Sequence, residues 1–449
     1  MASSEEKKRT FAVSMTNFLD AGCIVGVSVA LSTWAAAFHL DAMWVAIIGA
    51  ITGGTLAGAL GALVGGFLTD KFGRTIIYRY NLLLYAFGTL IIVVAQTLPV
   101  LMLGILLSGL TIGTGMPASW SYIGEMSSNE SRAENVGISQ FAWSLGPAVI
   151  FLMALVFSFV FPPFDASGAL CPAGTYGPFD GTLGIRIIFA ILLVISLIAW
   201  NLQRQLPESR DWSSKQQDAH QQSFVKLMAD ALTNPVCVKS IVFLVLVYLS
   251  WNLVAGTMGM FMPYLYRAAG GLDETMISLL QTALWVLTAV GSLAIFGKLG
   301  DRVSHRLLFG ASAFMALAAW LVMLYFGFTL KAGTSDANGW VLWVFVVLWG
   351  LSAGFSAQCF FALWSTELFP AQYRGGVQGI MFFLIRVVLG VWGLFVIGGL
   401  NVTTPDGFIL AAILMIVCLV ISLVVGVIWC PNTRGRSLDD IILERYGKL

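Results

Sequence analysis

Charged side chains are scarce in this sequence. Asp, Glu, Lys and Arg make up 10% of its 449 residues, whereas about 25% is usual in a soluble protein. Hydrophobic residues make up 58%, and the net charge is only +1. So small a charge gives no electrostatic basis for binding nucleic acid. The scarcity of charge therefore excludes an ordinary soluble domain and indicates a polytopic membrane protein.

Cysteine and histidine are also few. The six cysteines show no paired spacing, and only Cys171 falls in a predicted external loop, so we expect neither a disulfide framework nor a metal site. The three histidines fall in loops or at the ends of predicted spans. The sequence contains no evident set of nucleophile and base, and we therefore expect neither an enzyme nor a bound cofactor.

What the sequence does contain is long hydrophobic runs. A helix needs about 20 apolar residues to cross the hydrocarbon core, and runs of this length are too long for barrel strands. Helices are therefore the expected spanning form, and the expected fold class is all-α. Twelve segments qualify, which are 11–38, 43–69, 76–97, 99–124, 134–161, 184–204, 239–266, 275–299, 306–328, 340–365, 375–400 and 407–430.

The positions of lysine and arginine predict the orientation of these spans. Cytoplasmic loops of membrane proteins carry an excess of both residues. When the N-terminus is placed inside, 20 of the 24 basic residues fall in cytoplasmic segments. We therefore expect both termini to be cytoplasmic in a multi-pass protein of the plasma membrane. The short loops and tails favour a bacterial inner membrane.

A polar stretch near the middle divides the chain. Residues 205–238 separate six predicted spans on each side, which gives a six-helix half over 1–204, a cytoplasmic linker, and a second six-helix half over 239–449. The run KLMADALTNP in the linker predicts a short amphipathic helix. The external stretch 161–184 is rich in Gly and Pro, and we expect it to be irregular.

Charged residues recur at matching places in the two halves. GGFLTDKFGRT follows the second span and GKLGDRVSHR follows the eighth, and a glutamate precedes an arginine by seven residues after both the fourth and the tenth. Matched features in one order indicate duplication of a six-helix unit, which is an architecture of transporters. The residues concerned are Asp70, Lys71, Arg74, Glu125, Arg132, Asp301, Arg302, Arg306, Glu367 and Arg374.

These motifs resemble those of the major facilitator superfamily, and most of all its sugar porter branch with its organic-ion relatives. Residues 66–74 match a G-x-x-x-D-[RK]-x-G-R loop, and STELFPAQYRG and PNTRGRSLDDI resemble two further motifs. The resemblance covers the whole chain and implies a twelve-helix alternating-access transporter. It also implies that the matched charges form a cytoplasmic gate, although the positive-inside rule alone would place the cations there.

The resemblance extends to single residues inside the spans. LDAGCIVG resembles a first-helix motif and puts Asp20 at its acidic position, while Gln140 falls on a fifth-helix glutamine that contacts sugar in such porters. The departures weaken a neutral hexose as the solute. Ile105 replaces a fourth-helix arginine of the sugar porters, Asn252 a seventh-helix glutamine, and Arg386 an eleventh-helix tryptophan. The organic-ion relatives carry arginine at this last place.

Asp20 and Arg386 are the most deeply placed charges. At 1.5 Å per residue they lie about 14 Å and about 18 Å into their spans, near mid-membrane. A charge at that depth costs about 2.5–3.5 kcal/mol and is functional by default. We expect Asp20 to couple transport to protons and Arg386 to bind a carboxylate, sulfonate or phosphate. The alternative is a structural salt bridge between the two, which would itself act as a gate.

Amides inside the spans are candidates for contacting a solute, although amides also join membrane helices to each other. They are Gln140, Asn252, Gln281 and Gln358. Trp143 follows the first of these by three residues and Trp285 follows the third by four, so each tryptophan shares a helix face with an amide. Both tryptophans are candidates for stacking on a ring. Most of the 15 tryptophans are expected to pack or to anchor the protein at the membrane interface.

Together these features predict a secondary transporter that imports a small polar solute by proton symport. Arg386 favours an anionic solute that is sugar-like or polyhydroxylated, and import is favoured by analogy with the sugar porters. The alternatives are a proton-independent facilitator of a neutral sugar or polyol, an exporter driven by proton antiport, and a nutrient sensor on a transporter fold. The expected partners are the solute and the lipid bilayer, with no nucleic acid, and we expect a monomer.

Overall fold

A computed structural model describes residues 4–40, 42–165, 168–209, 213, 224–268, 272, 274–326, 339–400 and 405–447. Helices make up nearly all of the regular structure in these residues, which confirms the predicted all-α class. Extended pairing in the described part is limited to isolated bridges between Phe164 and Leu170 and between Tyr176 and Phe179.

The described chain up to residue 209 is the N-terminal part, and the chain from residue 224 is the C-terminal part. The helices of the N-terminal part are α1 (Ser4–Ala37), α2 (Ala42–Ala50), α3 (Leu56–Phe72), α4 (Arg74–Val94), α5 (Leu98–Met126), α6 (Arg132–Val160) and α7 (Leu183–Gln203). Those of the C-terminal part are α8 (Phe224–Thr233), α9 (Pro235–Ala268), α10 (Glu274–Val290), α11 (Gly297–Leu299), α12 (His305–Phe326), α13 (Gly339–Gly354), α14 (Ala357–Glu367), α15 (Arg374–Gly393), α16 (Pro405–Ile428) and α17 (Leu438–Tyr446). π-Helical turns lie between α10 and α11, at Gly291–Phe296, and after α15, at Leu394–Gly399.

Eleven helical segments of the described residues are long and apolar enough to cross a membrane. They correspond to every predicted span except the second. The boundary predicted between the third and fourth spans, near Gln96 and Pro99, is confirmed, because α4 ends at Val94 and α5 begins at Leu98.

The second predicted span is not one continuous helix. Residues 43–69 are predicted to be unbroken, but the structure divides them into α2 and α3. The hydroxyls of Thr52 and Thr55 in the break each donate to the carbonyl oxygen of Gly49 at 2.9 Å, and so satisfy a carbonyl at the end of α2. A side chain at Gly53 would lie 2.6 Å from Ile112 of α5, so glycine is what allows the break to pack there.

Small residues allow helices from the two parts of the chain to pack closely. The helix α3 packs on α15, and α6 packs on α10. A side chain at Gly66 of α3 would collide with the backbone of Gly375, and one at Gly137 of α6 would lie 2.7 Å from the Cα of Gly297. Close backbone approach through glycine is a usual basis of helix packing in membranes. These contacts join the N-terminal and C-terminal parts.

The predicted linker is shorter than expected. The amphipathic helix predicted within it is confirmed as α8, in which Met228 and Ala231 are buried between exposed neighbours. The helix α9 begins at Pro235, so residues 235–238 belong to that helix and not to the linker. Linker residues 210–212 and 214–223 lie outside the described residues.

The described residues between α6 and α7 form turns, bends and isolated bridges, which confirms the irregular stretch expected at 161–184. Two hydrogen bonds add to the bridges. The hydroxyl of Tyr176 donates to the carbonyl oxygen of Pro162 at 2.8 Å, and the backbone N–H of Cys171 donates to the carbonyl oxygen of Pro163 at 3.0 Å. Glycines with positive φ form its turns, which other residues adopt only under strain. Glycine-rich composition here therefore reflects turns and not a lack of structure.

Candidate functional site

A cavity of about 1540 Å³ lies between the two parts of the chain. Helices α1, α6 and α7 line it from the N-terminal part, and α9, α10, α14 and α15 line it from the C-terminal part. One end reaches Phe161 to Asp165, beyond α6, and the other reaches Gln140 and Gln358. The cavity therefore runs from an end of the bundle to the middle of the helices.

The predicted amides and tryptophans meet in this cavity. Its lining includes Gln140, Trp143, Asn252, Gln281, Trp285 and Gln358. The amide nitrogen of Gln358 donates to the amide oxygen of Gln140 at 2.8 Å, so a hydrogen bond joins α14 to α6. The rings of Trp143 and Trp285 lie 5.5 Å apart between centroids. The two parts of the chain thus contribute matching polar and aromatic groups to one wall.

Arg386 also lines the cavity. Its side chain lies in the middle of α15 and is 7% exposed, and its guanidinium carbon lies 5.5 Å from the centre of the Phe382 ring. Its Nη1 atom has no hydrogen-bond partner among the described residues. A side chain at Gly58, just after the break before α3, would collide with this atom. The missing side chain at Gly58, near the start of α3, therefore leaves the space that the guanidinium occupies.

Asp20 lies behind the wall of the cavity. It is 1% exposed on α1 and is not among the residues that line the cavity. Cys23 and Tyr85 are near enough to interact with its charge, whereas its Oδ2 atom has no hydrogen-bond partner in the described chain. Asp20 and Arg386 interact electrostatically, but no ion pair within 4.0 Å joins these two described residues. The alternative of a fixed salt bridge is therefore not realised in this structure.

At the other end of the bundle, Glu125 holds two buried arginines. Its Oε1 atom lies 2.8 Å from Nη2 of Arg74 and 2.5 Å from Nη1 of Arg374. Asp70 completes the cluster, because its Oδ1 atom lies 3.5 Å from Nη1 of Arg74 and accepts the backbone N–H of Gly375 at 3.0 Å. This cluster ties α3, α4 and α5 to the start of α15.

A second cluster repeats the arrangement with the two parts of the chain exchanged. Nη1 of Arg132 donates to Oε1 of Glu367 at 2.9 Å. The carboxylate of Asp301 accepts the backbone N–H groups of Ala133 and Glu134 at 3.1 and 3.0 Å, at the positive N-terminal end of α6. Burial raises the pKa of the Asp301 carboxyl above its usual value, and these N–H groups oppose the rise.

We call the two clusters together the gate network, after the role that the sequence analysis predicts for them. Its members are Asp70, Arg74, Glu125, Arg132, Asp301, Glu367 and Arg374. Three other residues predicted for the gate lie at the same end but outside this network, and their side chains are exposed. They are Lys71, Arg302 and Arg306. Arg306 follows Asp301 by five residues, whereas the buried Arg74 follows Asp70 by four, so the two loops match in order but not in all of their spacing.

Sequence reasoning missed two residues that brace this end of the bundle. The carboxylate of Glu208, in the sequence PESR (207–210) after α7, accepts the backbone N–H of Arg74 at 3.1 Å and so caps α4. The amide of Gln378 accepts from Ser121 of α5 at 2.9 Å and donates to Ser365 of α14 at 3.0 Å. The sequence does mark both residues, Glu208 by the PESR motif and Gln378 by its position one turn after Arg374. Neither feature reveals the partner of the residue.

Comparisons with known proteins give matches over nearly the whole chain. A family model described as Major Facilitator Superfamily matches residues 10–394. The minor myo-inositol transporter IolF of Bacillus subtilis (strain 168) is 36% identical over 446 residues, which cover 98% of this chain and 94% of that protein. The arabinose-proton symporter of the same organism is 24% identical over 427 residues, which cover 86% and 84%.

A solved structure also matches the fold. The proton:xylose symporter XylE bound to 6-bromo-6-deoxy-D-glucose aligns with a TM-score of 0.78 over 98% of this chain and 99% of that one, at 16% sequence identity. At that identity the likeness concerns the fold alone.

Proposed function

The chain belongs to the major facilitator superfamily, and from this premise we propose that it takes up a small polar solute, sugar-like or polyhydroxylated, by proton symport. It is a sugar-porter-like transporter of the plasma membrane and not an enzyme. The single observation that carries the proposal is the cavity, to which both parts of the chain contribute amides and tryptophans. Relatives named for myo-inositol and for arabinose with protons support the solute class.

The proposed topology has twelve spans, with α2 and α3 together forming the second. Both termini and the gate network lie on the cytoplasmic side, because most basic residues fall in the segments at that end. The two six-helix halves are residues 1–204 and 235–449, because α9 begins at Pro235, and a linker within 205–234 joins them. The protein acts as a monomer, with the proton as the coupling ion and no cofactor.

The gate network closes the cytoplasmic side in the proposed cycle. Its ion pairs and capped helix ends join the two halves, so they break when the cavity opens to the cytoplasm. Lys71, Arg302 and Arg306 lie at this face and contribute positive charge beside the network.

A methyl group at Gly379 is expected to weaken the closed cytoplasmic side. The added carbon in Gly379→Ala would collide with the carbonyl oxygen of Ala62 and lie 3.2 Å from the Cα of Gly66, so α3 and α15 must separate. Overpacking of this kind costs about 1–3 kcal/mol. We expect a Ser121→Cys reporter to react roughly 5- to 150-fold faster with an impermeant maleimide from the cytoplasmic side.

A second glycine on the same helix supplies the control. A methyl group at Gly390 would meet its nearest neighbour, Cβ of Thr55, at an ordinary 3.7 Å, so Gly390→Ala should leave labelling of the reporter unchanged. The native cysteines that react with maleimide are replaced in both variants. Equal labelling in the two variants would contradict a gate that depends on close contact between α3 and α15.

Proton symport is tested with purified protein in proteoliposomes. The probes are myo-inositol, D-glucose and D-glucuronate, and the exterior is made acidic. We expect at least one probe to accumulate above its external concentration and to leak out when a protonophore collapses the gradient. Equilibration without accumulation at any gradient would indicate a facilitator instead. Accumulation driven only by an acidic interior would indicate antiport, and no movement of any probe would contradict a transporter of this solute class.

A further inference from the structure

One positive charge dominates the inner part of the cavity. The charged residues in its described lining are Arg386 and Asp165. Asp165 belongs to the segment after α6, at the outer end, and Asp20 lies behind the wall. A solute at the level of the amides therefore meets a guanidinium and no carboxylate from the described lining.

The same wall holds buried N–H groups that lack partners. In the described part of the lining, the buried polar side-chain atoms without a hydrogen bond belong to Gln140, Trp251, Gln281, Trp285 and Arg386. Each side chain is at least nine-tenths buried. Every one of these atoms is a nitrogen that donates, and none is an acceptor. A side-chain amide can rotate so that its oxygen, an acceptor, takes the place of its nitrogen, a donor. An indole or a guanidinium can only donate.

A buried donor without a partner is unfavourable. These nitrogens are themselves covered, so an acceptor in the cavity meets them once the side chains turn toward it. The solute that suits this wall is therefore rich in acceptors and carries negative charge. A carboxylate fits better than a phosphate, since one guanidinium balances one charge and a phosphate carries about two. The planar guanidinium also matches the two oxygens of a carboxylate.

We infer that the solute is a polyhydroxylated carboxylate, a sugar acid, and that Arg386 selects its carboxylate group. The amides and the Trp143–Trp285 pair then meet the polyol part. This inference rests on the proposed function and names the solute class of the same cavity. It excludes a neutral sugar as the preferred solute.

Two probes that differ at a single carbon test the inference. D-glucuronate carries a carboxylate where D-glucose carries a hydroxymethyl group. We expect the purified protein to bind D-glucuronate at least about 10-fold more tightly in calorimetry, which is the usual effect of a charged hydrogen bond.

Arg386→Gln should lower the affinity for D-glucuronate to that for D-glucose and leave D-glucose unchanged. Arg386→Lys should keep part of the preference. Arg79→Gln, which removes an exposed arginine, should keep all of it.

The outcomes separate this inference from the proposed function. Equal affinity of the wild-type protein for both probes overturns the inference, even if Arg386→Gln does not fold. An equal loss for both probes in Arg386→Gln also overturns it, since the arginine would then support the site and not select a charge. Uptake of D-glucose without binding of D-glucuronate contradicts the inference alone. Failure of every probe to bind or move contradicts both.

Charge balance gives a second readout. A carboxylate that pairs with Arg386 leaves Asp20 as the uncompensated charge, and one proton on Asp20 restores neutrality. One anion and one proton then cross together, so no net charge moves. We expect uptake of D-glucuronate driven by a pH gradient to be indifferent to a potassium–valinomycin potential, negative inside. Acceleration by that potential would show net positive charge entering and would overturn the inference.

Discussion

Asp20→Asn is expected to abolish concentrative uptake and to leave exchange of solute across the membrane largely intact. Asparagine has nearly the same shape as aspartate, so the packing beside Cys23 and Tyr85 is kept, but it carries no titratable proton. Asp20 lies outside the lining of the cavity, so the contacts of the solute are unchanged. The measurements are accumulation under a pH gradient and counterflow of labelled solute in the same proteoliposomes.

The matched control removes a carboxylate from an exposed place. Asp406 lies in the first turn of α16 and is exposed, so Asp406→Asn should support both accumulation and counterflow. Loss of counterflow as well as accumulation in Asp20→Asn would mean that Asp20 is needed for the conformational change or for folding. Normal accumulation would mean that another group carries the proton.

Glu125→Gln is expected to destabilise the folded protein by about 3–5 kcal/mol, because removing one partner of a buried ion pair leaves the other charge uncompensated. Here the effect falls on two arginines, Arg74 and Arg374, whose side chains are at most 1% exposed. Asp70 compensates only part of this charge, from 3.5 Å. The measurement is the unfolding free energy in detergent, together with labelling of the Ser121→Cys reporter.

An exposed ion pair provides the comparison. Glu444 pairs with Arg436 on the surface, where the two side chains are 63% and 36% exposed. Glu444→Gln should change the unfolding free energy by no more than about 1 kcal/mol, because water screens an exposed pair. If both substitutions had the same small effect, the gate network would contribute nothing beyond surface charge.

For Asp301, the sequence predicted a place in the gate network but not the groups that the carboxylate contacts. Its loop could be matched with that of Asp70 because in both motifs a glycine precedes the aspartate by four residues and a basic residue follows it directly. The partners could not be found, since the groups that donate to the Asp301 carboxylate are the backbone N–H groups of Ala133 and Glu134, and every residue except proline supplies a backbone N–H. Arg74 follows Asp70 by four residues and is buried, whereas Arg306 follows Asp301 by five and is exposed.

The sequence by itself determined the membrane class, eleven of the spans and the set of polar residues that meet in the cavity. Hydrophobic length decides these, because each span satisfies its own backbone hydrogen bonds and stands out locally along the chain. The depth of Arg386 and Asp20 follows from counting residues in such spans. Neither result requires knowledge of what packs against what.

Tertiary structure alone decided three features. It divided the second span, because Gly53 lets the chain approach Ile112 closely. It put Arg386 at the wall of the cavity and Asp20 behind that wall, although both lie at similar depth. It joined Glu125 to Arg374 across the two parts of the chain. Each of these features depends on which face of one helix packs against a helix that is distant in sequence. Side-chain packing between the helices decides this.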